Sequence, residues 1–268
     1  MTIKSEFWTN GTHSKNDSLL SQIKRTYGSL QETRKLVFRT ESRTPQIANL
    51  EDMNAIFEID CKLITEHFIP FFASLTFIDS DQREVLNSHF KLPFVLLDGA
   101  FRSVDSDMHI LANGDYLDPQ NLEKFYQNPC EKDPAAAKNV TTVMKPYWKL
   151  NKLKDHMIQI KVDMAEFMFL TALLYWDFGI PNQSDRCIQV CTQMRSKVLE
   201  ELTDYEKSAR ATEDHSLRVG EIVIVLQAVQ KSLSILNECR DVSMAYNLYG
   251  KECYLFKISE AEKTTTIE

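Results

Sequence analysis

Residues 215–249 carry the pattern that most constrains what this chain can fold into. Ile222, Leu226, Val229, Leu233 and Leu236 follow one another at intervals of four, three, four and three, the recurrence of one face of an α-helix. Val223, Ile224 and Val225 fill the gaps, so apolar side chains cover most of the circumference. Such a helix is central in its fold or lies at an interface. A strand cannot sort this pattern, because its side chains alternate between faces at every residue.

The same period recurs upstream. Met53, Phe57, Cys61, Ile64, Phe68 and Phe71 are spaced four, four, three, four and three. Asn49 is placed to cap that helix, Asp52 lies in its first turn, and Pro70 marks its end. Leu19, Ile23, Leu30 and Val37 can line one face of a helix over residues 18–38, with a loop at 40–45. Ser80, with Asp81 behind it, is expected to cap a third helix. Pro93 suits the first turn of another, carrying Phe94, Leu97 and Phe101. Helical patterns resume over 139–156, 163–178 and 185–208. Ala112-Asn113-Gly114-Asp115, between Ile110-Leu111 and Tyr116-Leu117, predicts a small hairpin. Glycine, at 7 of 268 residues, falls below its usual share of about 7%, which argues against turn-rich β architectures.

Composition narrows the function. Apolar residues make up 43% and charged residues 26%, a globular balance. The net charge of −7 and the lack of a dense basic run argue against direct nucleic-acid binding by this chain, since phosphate neutralisation dominates such affinity. The longest apolar stretches are broken by charge before they could span a bilayer. The polar N-terminus has no apolar signal core, so an intracellular protein with no membrane contact is expected. None of the six cysteines forms a CxxC pair; they read as reduced, buried thiols, not zinc ligands. No Gly-rich phosphate loop, His-Glu-x-x-His pair or Gly-x-Ser-x-Gly elbow occurs, and the six histidines are scattered. Asp163 and Glu166 stand three apart, a spacing that fits a structural ion pair better than acid–base chemistry. Neither catalysis nor a cofactor or metal is expected.

The joints of this helical order resemble a known family. FIPFFASL at 68–75, Ser80-Asp81-Gln82 and FKLPFVLLDGAFRS at 90–103 are similar to the signature region of nuclear hormone receptor ligand-binding domains. HILANGDYLDP at 109–119 resembles the β-turn that follows there. KVDMAEFMFLTALLYWDFGIP at 161–181 is similar to the family's eighth helix, and SLRVGEIVIVLQAVQ at 216–230 to the start of its dimerising helix. The likeness is nearest to receptors of the hepatocyte nuclear factor four type, including the divergent supplementary receptors of nematodes.

That resemblance implies an all-α fold: a three-layer antiparallel helical sandwich with one small β-hairpin. It would occupy residues 18–258, between a flexible N-terminus at 1–17 and a flexible tail at 259–268. It implies a regulatory domain of a nuclear transcription factor that binds a fatty-acid-like or other lipophilic ligand, dimerises as a homodimer or heterodimer and recruits coregulator proteins. The alternative is a ligand-independent module with a filled pocket that regulates other receptors by heterodimerisation. In the family the residue matching Arg102 reaches into the pocket, where a guanidinium can anchor a carboxylate or a ketone. The competing reading pairs Arg102 with Asp105 or Asp107. Phe57, Cys61, Phe94, Leu97, Phe101 and Leu111 are the candidate pocket walls, each of which could equally be plain core. Val219, Ile222 and Leu226 are the candidate dimer contacts.

Three departures stand out. The family's paired-zinc DNA-binding module has no counterpart, which would make this an isolated domain or a receptor variant lacking it. The coactivator groove's basic clamp residue aligns with His67, and its partner with the uncharged Asn87. The candidate activation stretch at 252–258 places Lys257 where an acid would be useful.

Overall fold

The computed structural model describes residues 18–127, 135–210, 213–245 and 254. Helix α1 (Leu19–Phe38) begins where Ser18 accepts the Ser21 amide at 3.2 Å. It ends on Arg39 in the left-handed region (φ 52), before a 3₁₀ turn at Thr40–Ser42. Its buried face is Leu19, Ile23, Tyr27, Leu30 and Arg34, while Val37 is exposed. The apolar stripe thus closes on an arginine, not a valine. Helix α2 (Leu50–His67) opens with a reciprocal capping box: the Asp52 amide donates to Asn49 Oδ1 at 2.8 Å, and the Asn49 amide to Asp52 Oδ2 at 3.1 Å. Both orphan amides are satisfied by that exchange. Helix α3 (Ile69–Ser74) follows with Pro70 in its first turn.

Helix α4 (Ser80–Arg102) differs from the expectation of two helices. Asp79, not Ser80, occupies the N-cap position, without a side-chain cap bond, and Pro93 lies inside one unbroken helix. Proline removes a helical donor and crowds the preceding turn. Here Phe90, Leu92, Pro93, Phe94 and Val95 are all buried, and packing on several sides holds the helix continuous. Strands β1 (His109–Ile110) and β2 (Tyr116–Leu117) form the antiparallel hairpin, with Gly114 at φ 85. Ile47 adds a parallel bridge to Tyr116.

Helices α5 (Leu122–Tyr126), α6 (Ala136–Leu150) and α7 (Leu153–Ile160) come next. The expected single helix over 139–156 breaks at Asn151, whose extended backbone (ψ 106) ends α6. Helices α8 (Met164–Tyr175), α9 (Asp185–Ser208) and α10 (His215–Ala245) complete the described chain; residues 246–249 of the last predicted helix lie outside the described residues. Among the described residues the layers are α1 to α3 on one side, α4, α8 and α9 in the middle, and α7 and α10 on the other, with α6 beyond. Helix α8 touches α1, α4, α9 and α10. Apart from Met164 its residues are all buried, as befits a helix apolar on every side. By length and apolarity alone α10 could cross a membrane; here it packs on α4, α6, α7, α8 and α9.

Asp163 and Glu166 form a second capping box at the start of α8. Glu166 is fully buried and accepts from Arg218 Nε at 2.7 Å and Nη2 at 2.9 Å, and from Arg210. These carboxylates pin α8 to α10. The main core is aromatic and closely filled: Phe68, Phe72, Phe90, Phe94, Tyr175 and Trp176 interlock, with Phe72 stacked on Tyr175 at 4.8 Å. Cys61, Cys187 and Cys191 are buried free thiols and Cys239 is half-buried.

Candidate functional site

A second, smaller cluster around Met53, Leu111, Leu117, Phe125 and Met144 is not closely filled. It borders a cavity of about 230 Å³. That exceeds the roughly 150 Å³ hollow that admits benzene and falls just under the roughly 300–1,000 Å³ of drug-sized sites. Leu50, Met53 and Phe57 of α2 form one wall, the α4 face Val95, Leu96, Gly99, Ala100 and Arg102 another, and the hairpin a third. Phe125 and Tyr126 of α5, the end of α6, the start of α7, and Ser232, Ile235 and Cys239 of α10 close it.

The polar end of the cavity is built on Arg102. Its Nη1 donates to Asp98, one turn upstream, while its Nε is buried with no hydrogen-bond partner among the described residues. Asp98 is fully buried and serves three groups. Tyr27 donates to it at 2.6 Å, and Arg34 Nη2 lies 2.9 Å away. Arg34 in turn grips Asp60 through Nε at 2.6 Å and Nη2 at 2.8 Å. Burial pushes the Asp98 carboxyl upward, yet Arg102, Arg34 and the Tyr27 bond outweigh it and hold it below the ordinary carboxylate range. Two guanidiniums and two carboxylates balance, so the ions survive burial because each is paired. The consequence for the cavity is positional: Asp98 fixes the Arg102 guanidinium at the cavity wall.

Two further polar groups sit on the wall. Lys154 donates to the carbonyls of Ser106 and Met108, the latter at 3.0 Å. Burial, with Lys154 adding to it, pushes the His109 imidazole down to about 4, so it is neutral near pH 7. Sequence reasoning passed over His109, Lys154 and the α6 aromatics, because nothing local marks a residue as facing a void.

The candidate pocket residues divide. Phe57, Arg102 and Leu111 line the cavity. Cys61, Phe94 and Leu97 belong to the main core instead, and Phe101 stacks on Phe167 at 4.2 Å. Phe94, Leu97 and Phe101 share the α4 face turned away from the void, and Cys61 lies one turn beyond the stretch of α2 that borders it. The partner of Arg102 is Asp98, upstream, and not Asp105 or Asp107. Among the described residues no group of three or more His, Cys, Asp or Glu could hold a metal.

A model of the family described as the ligand-binding domain of nuclear hormone receptor matches residues 38–245. The chain is 41% identical over 246 residues to nuclear hormone receptor family member nhr-42 of Caenorhabditis elegans, covering 91% of this chain and 69% of that protein. It is 38% identical to family member nhr-108 of the same organism over 90% of this chain and 72% of the relative. For nhr-176, again from that organism, the identity is 35% over 90% and 71%. The chain belongs to the nuclear hormone receptors.

Within that family this ligand-binding domain is a divergent, non-enzymatic regulatory unit of a transcription factor. The residues expected at a coregulator groove fall as follows. His67 ends α2 half-exposed, with Nε2 4.0 Å from Glu66. Asn87 is half-buried and accepts from the Tyr175 hydroxyl at 3.0 Å. Lys257 lies outside the described residues, as do residues 1–17 and 259–268. Of the activation stretch, Tyr254 is described: its amide donates to Asn54 of α2 and its ring packs on the main core. Of the candidate dimer contacts, Ile222 is fully buried inside the monomer and cannot meet a partner. Val219 and Leu226 are half-buried against the core. The exposed apolar side chains of α10 are Leu217, Ile224 and Met244.

Proposed function

We propose that this nuclear hormone receptor domain binds a compact lipophilic molecule, with an acceptor group of the ligand met by Arg102, and that occupancy regulates transcription in the nucleus. One observation carries the reading: an apolar cavity of about 230 Å³ whose wall includes the Arg102 guanidinium. A guanidinium on an apolar wall can meet a ligand oxygen through a charge-assisted hydrogen bond. The size supports a compact ligand over a long fatty acid. The open volume favours ligand binding over the filled-pocket module. Dimerisation through α10 and coregulator recruitment complete the proposed role.

Native mass spectrometry of the purified protein tests the reading. The expected result is a co-purified small molecule on the wild type, lost in Arg102→Leu with helical content unchanged. Losing one charge-assisted hydrogen bond costs about 1.5–3 kcal/mol, a roughly tenfold to hundredfold drop in affinity. A wild type that carries nothing and takes up no lipophilic probe overturns it in favour of the filled module.

A further inference from the structure

Part of the cavity wall is built of ring side chains. Phe57, His109, Phe125, Tyr126, Tyr147 and Trp148 line it, contributed by α2, β1, α5 and α6. Several of these rings are locked against one another. Trp148 meets Phe125 edge-on at 5.5 Å and His109 at 5.7 Å, and Phe125 meets Tyr126 at 4.8 Å. The Trp148 indole N–H donates to the Tyr126 hydroxyl at 2.7 Å. A wall held by edge-to-face pairs and a hydrogen bond cannot reshape itself around a flexible chain. It presents fixed ring faces and edges instead, the surfaces that aromatic guests recognise. The α4 wall carries two small residues, Gly99 and Ala100, beside Arg102. A Cβ added at Gly99 would lie in ordinary van der Waals contact with Arg102 Nη2, at 3.8 Å, so this glycine sits directly beside the guanidinium.

We infer that the ligand is a planar aromatic molecule of about two rings carrying an acceptor oxygen, held between the locked aromatic wall and Arg102, and not an acyl chain. This rests on the proposed function above and names its ligand class. A rigid guest loses little freedom on entering a rigid site, whereas each rotor of an acyl chain must be frozen. His109 supports the same conclusion. With its imidazole kept neutral at pH 7 by burial, it behaves as one more ring of the wall and offers no cation to a second carboxylate.

The test compares probes with equal numbers of heavy atoms. Isothermal titration of the full chain is run with 2-naphthoate, 2-naphthamide and undecanoate. The expected result is that at least one naphthyl probe binds tenfold or more tighter than undecanoate. The carboxylate and amide arms show which acceptor Arg102 prefers. Trp148→Leu should remove the naphthyl advantage while leaving undecanoate within about threefold, and Arg102→Leu should weaken both classes together. Undecanoate binding as tightly as the naphthyl probes would overturn the aromatic assignment and leave the proposed function standing. Binding of none of the three would overturn both. The wild-type comparison decides the matter even if Trp148→Leu does not fold.

Discussion

Glu166→Gln gives the sharpest test of how this fold is held together. Glu166 is completely buried, and the Arg218 side chain it grips is 9% exposed. The substitution keeps the shape and removes the charge, leaving a buried guanidinium without its principal counter-ion. Breaking one side of a buried pair costs about 3–5 kcal/mol. The low end applies here, because Glu221 stays 3.1 Å from Arg218 and Asp163 stays 3.4 Å from Arg210. About 3 kcal/mol is a large fraction of the roughly 5–15 kcal/mol that holds a domain folded. With a urea dependence near 3 kcal/mol/M, the upper part of the usual range, the unfolding midpoint should fall by about 1 M. The double substitution Glu166→Gln with Arg218→Met removes both charges of the pair, keeps an oxygen at position 166 for the Asp163 amide, and should recover part of that loss. Glu221→Gln, on a residue 44% exposed, should cost less than about 1 kcal/mol. A shift below about 0.3 M for Glu166→Gln, or a double variant no better than the single, would refute the pin between α8 and α10.

Three further outcomes are expected. The half-buried His109 is pushed down to about 4 in the folded chain against roughly 6.5 unfolded, so the unfolded state binds the extra proton between those values. Stability should therefore fall as pH drops from about 6.5 towards 4, and His109→Phe should flatten that slope in urea midpoints taken at pH 7.5 and 5.5. Charge-clamp recruitment should be weak, because His67 and Asn87 occupy positions where fixed charges would meet the peptide macrodipole, and Asn87 is already bonded to Tyr175; a Leu-rich coactivator peptide binding below micromolar in fluorescence anisotropy would contradict this. Ile224, half-exposed on α10, should anchor a partner, so Ile224→Arg should turn a light-scattering dimer into a monomer without lowering stability; a wild type that is monomeric and pairs with no other receptor would sink that assignment.

Local chemistry was legible in the sequence wherever one element decides its own ends. Asn49 caps α2 through its own side chain as expected, and the Asn113-Gly114 turn forms as its residue types demand, whereas the cap expected at Ser80 falls to Asp79, which makes no side-chain cap bond. What could not be read is what depends on distant partners. Arg34 falls on the α1 stripe at the spacing of an apolar residue, and Val37 was the natural choice to end that stripe. Arg34 is buried only because Asp60, 26 residues on, accepts its fork, and no periodicity carries that information. An arginine or aspartate recurring on an otherwise apolar face is itself the signal: Arg34, Asp60 and Asp98 all show it, and all three ion-pair in the core.

The cavity was half legible for a related reason. Helix α4 has two apolar faces, and periodicity says which residues share a face without saying which face meets a void. Phe94, Leu97 and Phe101 form the bulkier face and drew the assignment, but large side chains fill the space they look into, as Phe101 does against Phe167. The other face carries Gly99, Ala100 and Arg102. Small residues leave volume, and the Arg102 guanidinium lies at the edge of that volume. On a helix with two apolar faces, the face with small residues and an arginine is therefore the one to expect at a ligand site.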